Sequence, residues 1–188
     1  MARIFIAIEL EENLRNKLSE LQAELKKSGA DVKWVETKNL HLTLKFLGEI
    51  SNEDIPKVEA AMDEICKDTK AFTIKLQGVG AFPKISYPRV IWVGIIAGEK
   101  SLIELAAKLD DRLEKENFKK EERPFSAHLT VGRSRSNLNR IGLIEQLDKN
   151  KNWEGLQTQV DKITLFKSTL TPKGPIYEPI LTKTLKTS

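Results

Sequence analysis

Apolar positions along this chain recur with two alternating periods, which read as a succession of strands and helices. Arg3 to Leu10 is an apolar run of strand length. Leu14, Leu18, Leu21 and Leu25 then fall at three- and four-residue steps, predicting an amphipathic helix over 11–27 that Ser28-Gly29 ends. Strands are expected over 32–35 and 40–47. Ser51, three places before Asp54, reads as the cap of a helix running to Lys67 through Ile55, Val58, Ala61, Met62 and Ile65. Residues 72–79 alternate as a strand, 83–88 read as a loop between prolines, and 90–96 form a β-prone run.

The same order then repeats. Leu102, Leu105, Ala106, Leu109 and Leu113 mark a helix over 101–116, and Pro124 resets the chain before a strand over 125–133. A shorter helix over 139–149 carries Ile141, Ile144 and Leu147. Strands over 157–168 and 176–185, joined by the turn-prone Thr171-Pro172-Lys173-Gly174-Pro175, close the chain as a hairpin. No Gly-, Ser- or Pro-rich linker separates the two halves. The expectation is an α+β fold of two lobes in one domain spanning residues 1–188.

Composition narrows the class. Of 188 residues 40% are hydrophobic and 31% charged, the balance of a soluble globular protein with a densely charged surface. The apolar stretch Ile4–Leu10 is too short to span a membrane, and Glu9, Glu11 and Glu12 are wrong for a signal peptide. The lone Cys66 can form no internal disulfide, so the cytoplasm is the expected compartment. A net charge of +4 and a pI near 9.0 are compatible with an RNA partner without requiring one. Most charges fall in mixed-sign runs, but Arg133, Arg135 and Arg140 form a basic stretch with no acid among them.

The chemistry is concentrated in the two histidines, which share one frame: His41-Leu42-Thr43-Leu44 and His128-Leu129-Thr130-Val131. At ordinary Leu and Thr usage, both histidines matching by chance has odds on the order of 1 in 10,000. On a strand, alternation puts each histidine with its threonine on one face, and Leu42, Leu44, Leu129 and Val131 on the other, toward the core. Two such strands across a cleft would offer two hydroxyls to phosphoryl oxygens. The two imidazoles would serve as acid and base for an in-line displacement. Zinc wants three or four protein ligands, and two distant histidines with one cysteine offer no such spacing.

The arrangement resembles the two-histidine phosphoesterase superfamily, and within it the archaeal and bacterial RNA 2′,3′-cyclic phosphodiesterases, historically called 2′-5′ RNA ligases. The resemblance runs through residues 3–8, Trp34-Val35, 39–48, Gly80-Ala81-Phe82-Pro83, 89–94, 125–133 and 174–177. It implies a bilobal α+β fold with pseudo-twofold symmetry, antiparallel sheets lining a central cleft and helices outside. The implied reaction needs neither metal nor cofactor: water opens a cyclic phosphate at an RNA end and leaves a 2′-phosphate. By the same resemblance His41 is the proton donor and His128 the proton acceptor, while Thr43, Thr130 and Arg133 bind the phosphate. The residues themselves treat the two histidines as equivalent. The implied partner is RNA with a cyclic phosphate end, tRNA fragments being one source, acted on by a monomer with no membrane partner.

Strict alternation turns Arg133 away from His128, so its role needs a strand end or a bulge, which Gly132 could supply. Lys45 shares the His41 face by parity and reads as a rim charge. Trp34, Phe46 and Tyr177 are candidate base-stacking aromatics, with core packing the favoured role for each. Two other functions fit the same residues: ATP-independent 2′-5′ joining by the reverse reaction, and an RNA-end binding module without turnover. The first is disfavoured by the concentration of water. The second is disfavoured because phosphate binding alone is better served by Arg and Lys.

Overall fold

The computed structural model describes residues 1–187, and among these nine strands form two antiparallel sheets. In chain order the elements are β1 (Ala2–Glu9), α1 (Glu12–Lys26), β2 (Val32–Trp34), β3 (His41–Ile50), α2 (Ile55–Asp68), β4 (Phe72–Lys84) and β5 (Tyr87–Ala97). Then follow α3 (Glu99–Glu114), β6 (His128–Ser134), α4 (Arg140–Lys149), β7 (Glu154–Val160), β8 (Lys162–Thr171) and β9 (Gly174–Thr184). The first sheet has the order β3-β1-β8-β9 and the second β2-β6-β5-β4-β7. The α+β class with antiparallel sheets expected from the sequence is therefore the fold adopted. No helix among the described residues is long and apolar enough to cross a membrane.

Two helices bury the stripes their periodicity marked, Leu14, Leu18, Leu21 and Leu25 on α1 and Leu102, Leu105, Leu109 and Leu113 on α3, whereas α4 buries Leu143 and Leu147 and leaves Ile141 74% exposed. The buried leucines join one continuous core with Ile4, Ile6, Ile8, Leu42 and Leu44 of the first sheet, and Ile91, Val93, Leu129 and Val131 of the second. Burying a leucine or isoleucine is worth about 1.5–3 kcal/mol relative to leaving it exposed. The core thus fixes which face of each sheet turns inward, and so which face is left for a cleft.

Beyond shifts of a few residues at element ends, four readings differ from the expectation. Residues 83–88 are not a loop: β4 and β5 close as a hairpin in which Lys84 pairs with Tyr87, and Pro83 faces Pro88 at a register shift that already interrupts the ladder. The run over 157–168 is two strands that belong to different sheets, since β7 pairs with β4 while β8 pairs with β1. The switch falls at Asp161, where two consecutive exposed residues, Asp161 and Lys162, interrupt the alternation without any Gly or Pro to mark a break. β6 begins at His128, so 125–127 belong to the irregular segment after α3. Ser51 stands before a single 3₁₀ turn and donates its hydroxyl to the Asp54 carboxylate at 3.0 Å instead of capping a backbone N–H.

Candidate active site

His41 and His128 are the first residues of β3 and β6, and in both strands the residue after the threonine is bulged out of register. On β3, His41 faces Glu9, Thr43 faces Ala7 and Lys45 faces Ile6, leaving Leu44 without a partner. On β6, His128 faces Gly94, Thr130 faces Trp92 and Gly132 faces Ile91, leaving Val131 without one. Directly opposed residues in antiparallel strands share a face. Before each bulge, therefore, histidine and threonine point away from the core. Beyond it the parity is reversed: Lys45 and Gly132 turn inward, while Phe46 and Arg133 turn with the histidines.

This settles where two of the sequence candidates lie. Arg133 stands on the His128 face because of a bulge at Val131, one residue earlier than the expected Gly132. Lys45 is no rim charge: it is 2% exposed, its ammonium lies 2.5 Å from the Asp110 carboxylate of α3, and it donates to the Lys119 carbonyl at 2.6 Å. The bulge exposes the Val131 carbonyl, which accepts from the buried Gln22 amide at 3.0 Å and from the Val35 N–H at 3.0 Å.

A cleft of about 1020 Å³ opens between the sheets, and His41, Thr43, His128, Thr130 and Arg133 all line it. Nδ1 of His41 lies 3.0 Å from the Asn39 carbonyl. A carbonyl only accepts, so Nδ1 carries a hydrogen and Nε2 is left for chemistry. Asn39 is itself buried and donates to the Pro175 carbonyl at 3.1 Å, which ties this turn to β9. Nδ1 of His128 lies 2.9 Å from the Ser126 hydroxyl, a partner able to donate or accept. Both frames therefore hold Nδ1 from the residue two places back, through the Asn39 main-chain carbonyl in one and the Ser126 hydroxyl in the other. Only the second contact depends on residue type, and sequence reasoning missed it.

Burial lowers both imidazole pKa values below 6.5, by disfavouring the charged ring. Around His41 the Asn39 carbonyl opposes this, the Arg15 guanidinium adds to it and the Glu9 carboxylate opposes it again. Around His128 the Arg133 cation adds to the burial, and the Ser126 backbone opposes it. Glu9 is held by the Thr164 hydroxyl at 3.1 Å, itself 2.9 Å from the Thr182 hydroxyl. Among the described residues no three His, Cys, Asp or Glu side chains gather as a metal-holding set.

An aromatic ring stands against each histidine: Phe166 with its centroid 4.6 Å from that of His41, and Phe82 at 4.9 Å from that of His128. The two phenylalanines are register equivalents. Each lies on the strand beyond the histidine strand's neighbour, Phe166 opposite Phe5 and Phe82 opposite Val90. Sheet order alone reveals that placement. Of the three aromatics singled out by sequence, Tyr177 and Phe46 line the cleft. Trp34 packs on the core against Gly132, where a Cβ would lie 2.9 Å from its ring.

The chain matches the family described as LigT-like phosphoesterase over residues 8–92 and 95–177, and each stretch contains one His-Leu-Thr frame. It is 39% identical over 178 residues to the RNA 2′,3′-cyclic phosphodiesterase of Methanocaldococcus jannaschii, covering 95% of this chain and 98% of that one. To the enzyme of the same name from Methanothermobacter thermautotrophicus it is 37% identical over 175 residues, with 93% and 94% covered. The fold is similar to that of Escherichia coli LigT complexed with NADP⁺, with a TM-score of 0.78, 27% identity and 98% of each chain covered.

Proposed function

The chain belongs to the LigT-like phosphoesterase family, and on that footing we propose that it hydrolyses 2′,3′-cyclic phosphate ends of RNA to 2′-phosphates. His128 Nε2 takes a proton from water as the water oxygen bonds to phosphorus. His41 Nε2 gives a proton to the 3′ oxygen as its bond to phosphorus breaks. The Thr43 and Thr130 hydroxyls donate to the non-bridging oxygens, and Arg133 neutralises charge that builds on them. Proton exchange with solvent resets the two rings. No step draws on a metal or cofactor.

The observation that carries this reading is the convergence of two imidazoles and two hydroxyls, placed by alternation ahead of the equivalent bulges, and one guanidinium, turned by the second bulge, in the same cleft. The labels of acid and base come from the family resemblance. At His41 the Asn39 carbonyl and the Glu9 carboxylate favour the charged ring while the Arg15 cation favours the neutral one, as the Arg133 cation does at His128. That a LigT structure holds NADP⁺ agrees with a cleft that accepts nucleotides. The same reading takes residues 1–188 as one two-lobed domain with a motif in each lobe, acting as a monomer in the cytoplasm, with tRNA fragments as one source of substrate.

The test is hydrolysis of an oligoribonucleotide ending in a 2′,3′-cyclic phosphate, in EDTA, by wild type, His41→Ala and His128→Ala. Each substitution is expected to cost about 10²- to 10⁴-fold. Activity that survives both changes overturns the proposal.

A further inference from the structure

The cleft does not end at the histidines. β3 continues past Thr43 to Phe46, about 10 Å along the strand at ordinary rise. There a second groove of about 560 Å³ opens between Phe46-Leu47-Gly48 and the irregular segment 119–123. Phe46 and Arg123 line both spaces, so the groove is a continuation of the cleft.

Its charges sort themselves into paired and free. Glu122 holds Lys119 at 2.8 Å, Lys120 lies 2.8 Å from Asp111 and 3.0 Å from Glu114, and Glu121 lies 3.7 Å from the buried Lys45 ammonium. Arg123 and Arg3 have no acidic partner among the described residues. Phe46 is 47% exposed, with the Phe5 ring stacked 5.5 Å away and the Arg3 guanidinium 5.7 Å from its ring centroid. An exposed aromatic ring flanked by free arginines is the combination that single-stranded nucleic acid uses, a platform for a base beside cations for the backbone.

We propose that this groove holds the nucleotide preceding the cyclic end, its base on Phe46 and its phosphate toward Arg123. The preferred substrate is then a strand of at least two nucleotides, because a cyclic mononucleotide has nothing to place there. The inference rests on the cleft being the cyclic phosphate site.

The experiment compares kcat/KM for adenosine 2′,3′-cyclic phosphate with that for a short oligoribonucleotide ending in the same residue. Wild type should favour the oligonucleotide. Phe46→Ala should cost the oligonucleotide about 5- to 150-fold, as loss of one stacked base does, and cost the mononucleotide far less. Phe46→Trp should restore the preference. Arg123→Ala should flatten the dependence of log KM on log salt for the oligonucleotide by about 0.7, the loss of one single-strand phosphate contact. Equal kcat/KM for the two substrates in wild type, or equal losses on both in Phe46→Ala, overturns the groove while leaving the histidine chemistry standing. Absence of turnover on both substrates overturns the reading beneath it, and the groove proposal with it.

Discussion

Leu44 and Val131 occupy the same place in the two halves of this protein: each is the bulged residue that follows the threonine of a His-Leu-Thr frame. Both side chains are buried, at 4% and 0% exposure, so each bulge is locked by the core behind it. The consequence falls on the residue two places on. In one half it turns Phe46 to the cleft, and in the other Arg133.

Arg133 is thereby the cation that the bulge brings onto the His128 face of the cleft. Arg133→Met should lower kcat/KM by about 10²- to 10³-fold, the usual cost of removing one donor that meets charge developing in a transition state. Arg133→Lys should recover only part of it, since a point charge replaces a planar fork. Steady-state kinetics on a cyclic-phosphate oligonucleotide decides this. A loss under fivefold in Arg133→Met would remove the residue from the phosphate site.

Gln22 supports the bulge from behind, its amide donating 2.8 Å to the Val35 carbonyl and 3.0 Å to that of Val131. Gln22→Leu keeps the bulk and strips both donors. The Val131 carbonyl retains the Val35 N–H, but the Val35 carbonyl loses its side-chain donor, at an expected cost of about 1–3 kcal/mol in urea unfolding. Gln22→Glu should be worse, because a carboxylate would face two carbonyl oxygens. Wild-type stability in Gln22→Glu would contradict the contact.

Lys45 and Asp110 form a buried pair, with side chains 2% and 13% exposed. Asp110 also accepts from the Glu121 N–H, so the pair ties α3 to the segment leading to Ser126 and His128. Asp110→Ala leaves the buried cation with the Lys119 carbonyl and, at 3.7 Å, only the half-exposed Glu121 carboxylate, and should cost about 3 kcal/mol. Lys45→Met removes the charge and keeps most of the apolar stem, so it should cost less. The order of the two midpoints in urea is the measurement, and the reverse order would show that the lysine is not desolvated.

Much of this could be read in the sequence, and what could not has a common cause. The helices were legible because Leu14, Leu18, Leu21 and Leu25 mark a stripe that only one period explains. The histidine frames were legible because alternation up to Thr43 and Thr130 is undisturbed. Lys45 was misplaced because a bulge reverses parity without altering composition, so the strand on paper continues past Leu44 as if nothing had happened. The rings against the histidines escaped for a different reason. Phe82 and Phe166 reach them through the order of strands in a sheet, a relation between segments far apart in the chain.

The pH dependence follows from the surroundings of the two rings. In the proposed mechanism the active form has His41 charged and His128 neutral. Below the lower apparent pKa the base is lost to protonation, and above the higher one the acid is lost to deprotonation. The profile of kcat/KM reports the free enzyme and is a bell centred between the two values. Burial leads the lowering at both rings, so both values lie under 6.5 and the optimum of kcat/KM should too. Replacing Glu9 by Gln removes a carboxylate that raises the His41 value, so the alkaline limb should move to lower pH. Replacing Arg133 by Met removes a cation that lowers the His128 value, so the acid limb should move up in the residual activity. An optimum above pH 7, with chemistry rate-limiting, would mean that the rings are not desolvated in the working enzyme. Shifts of the opposite limbs in the two variants would show that His41 has the lower pKa of the pair.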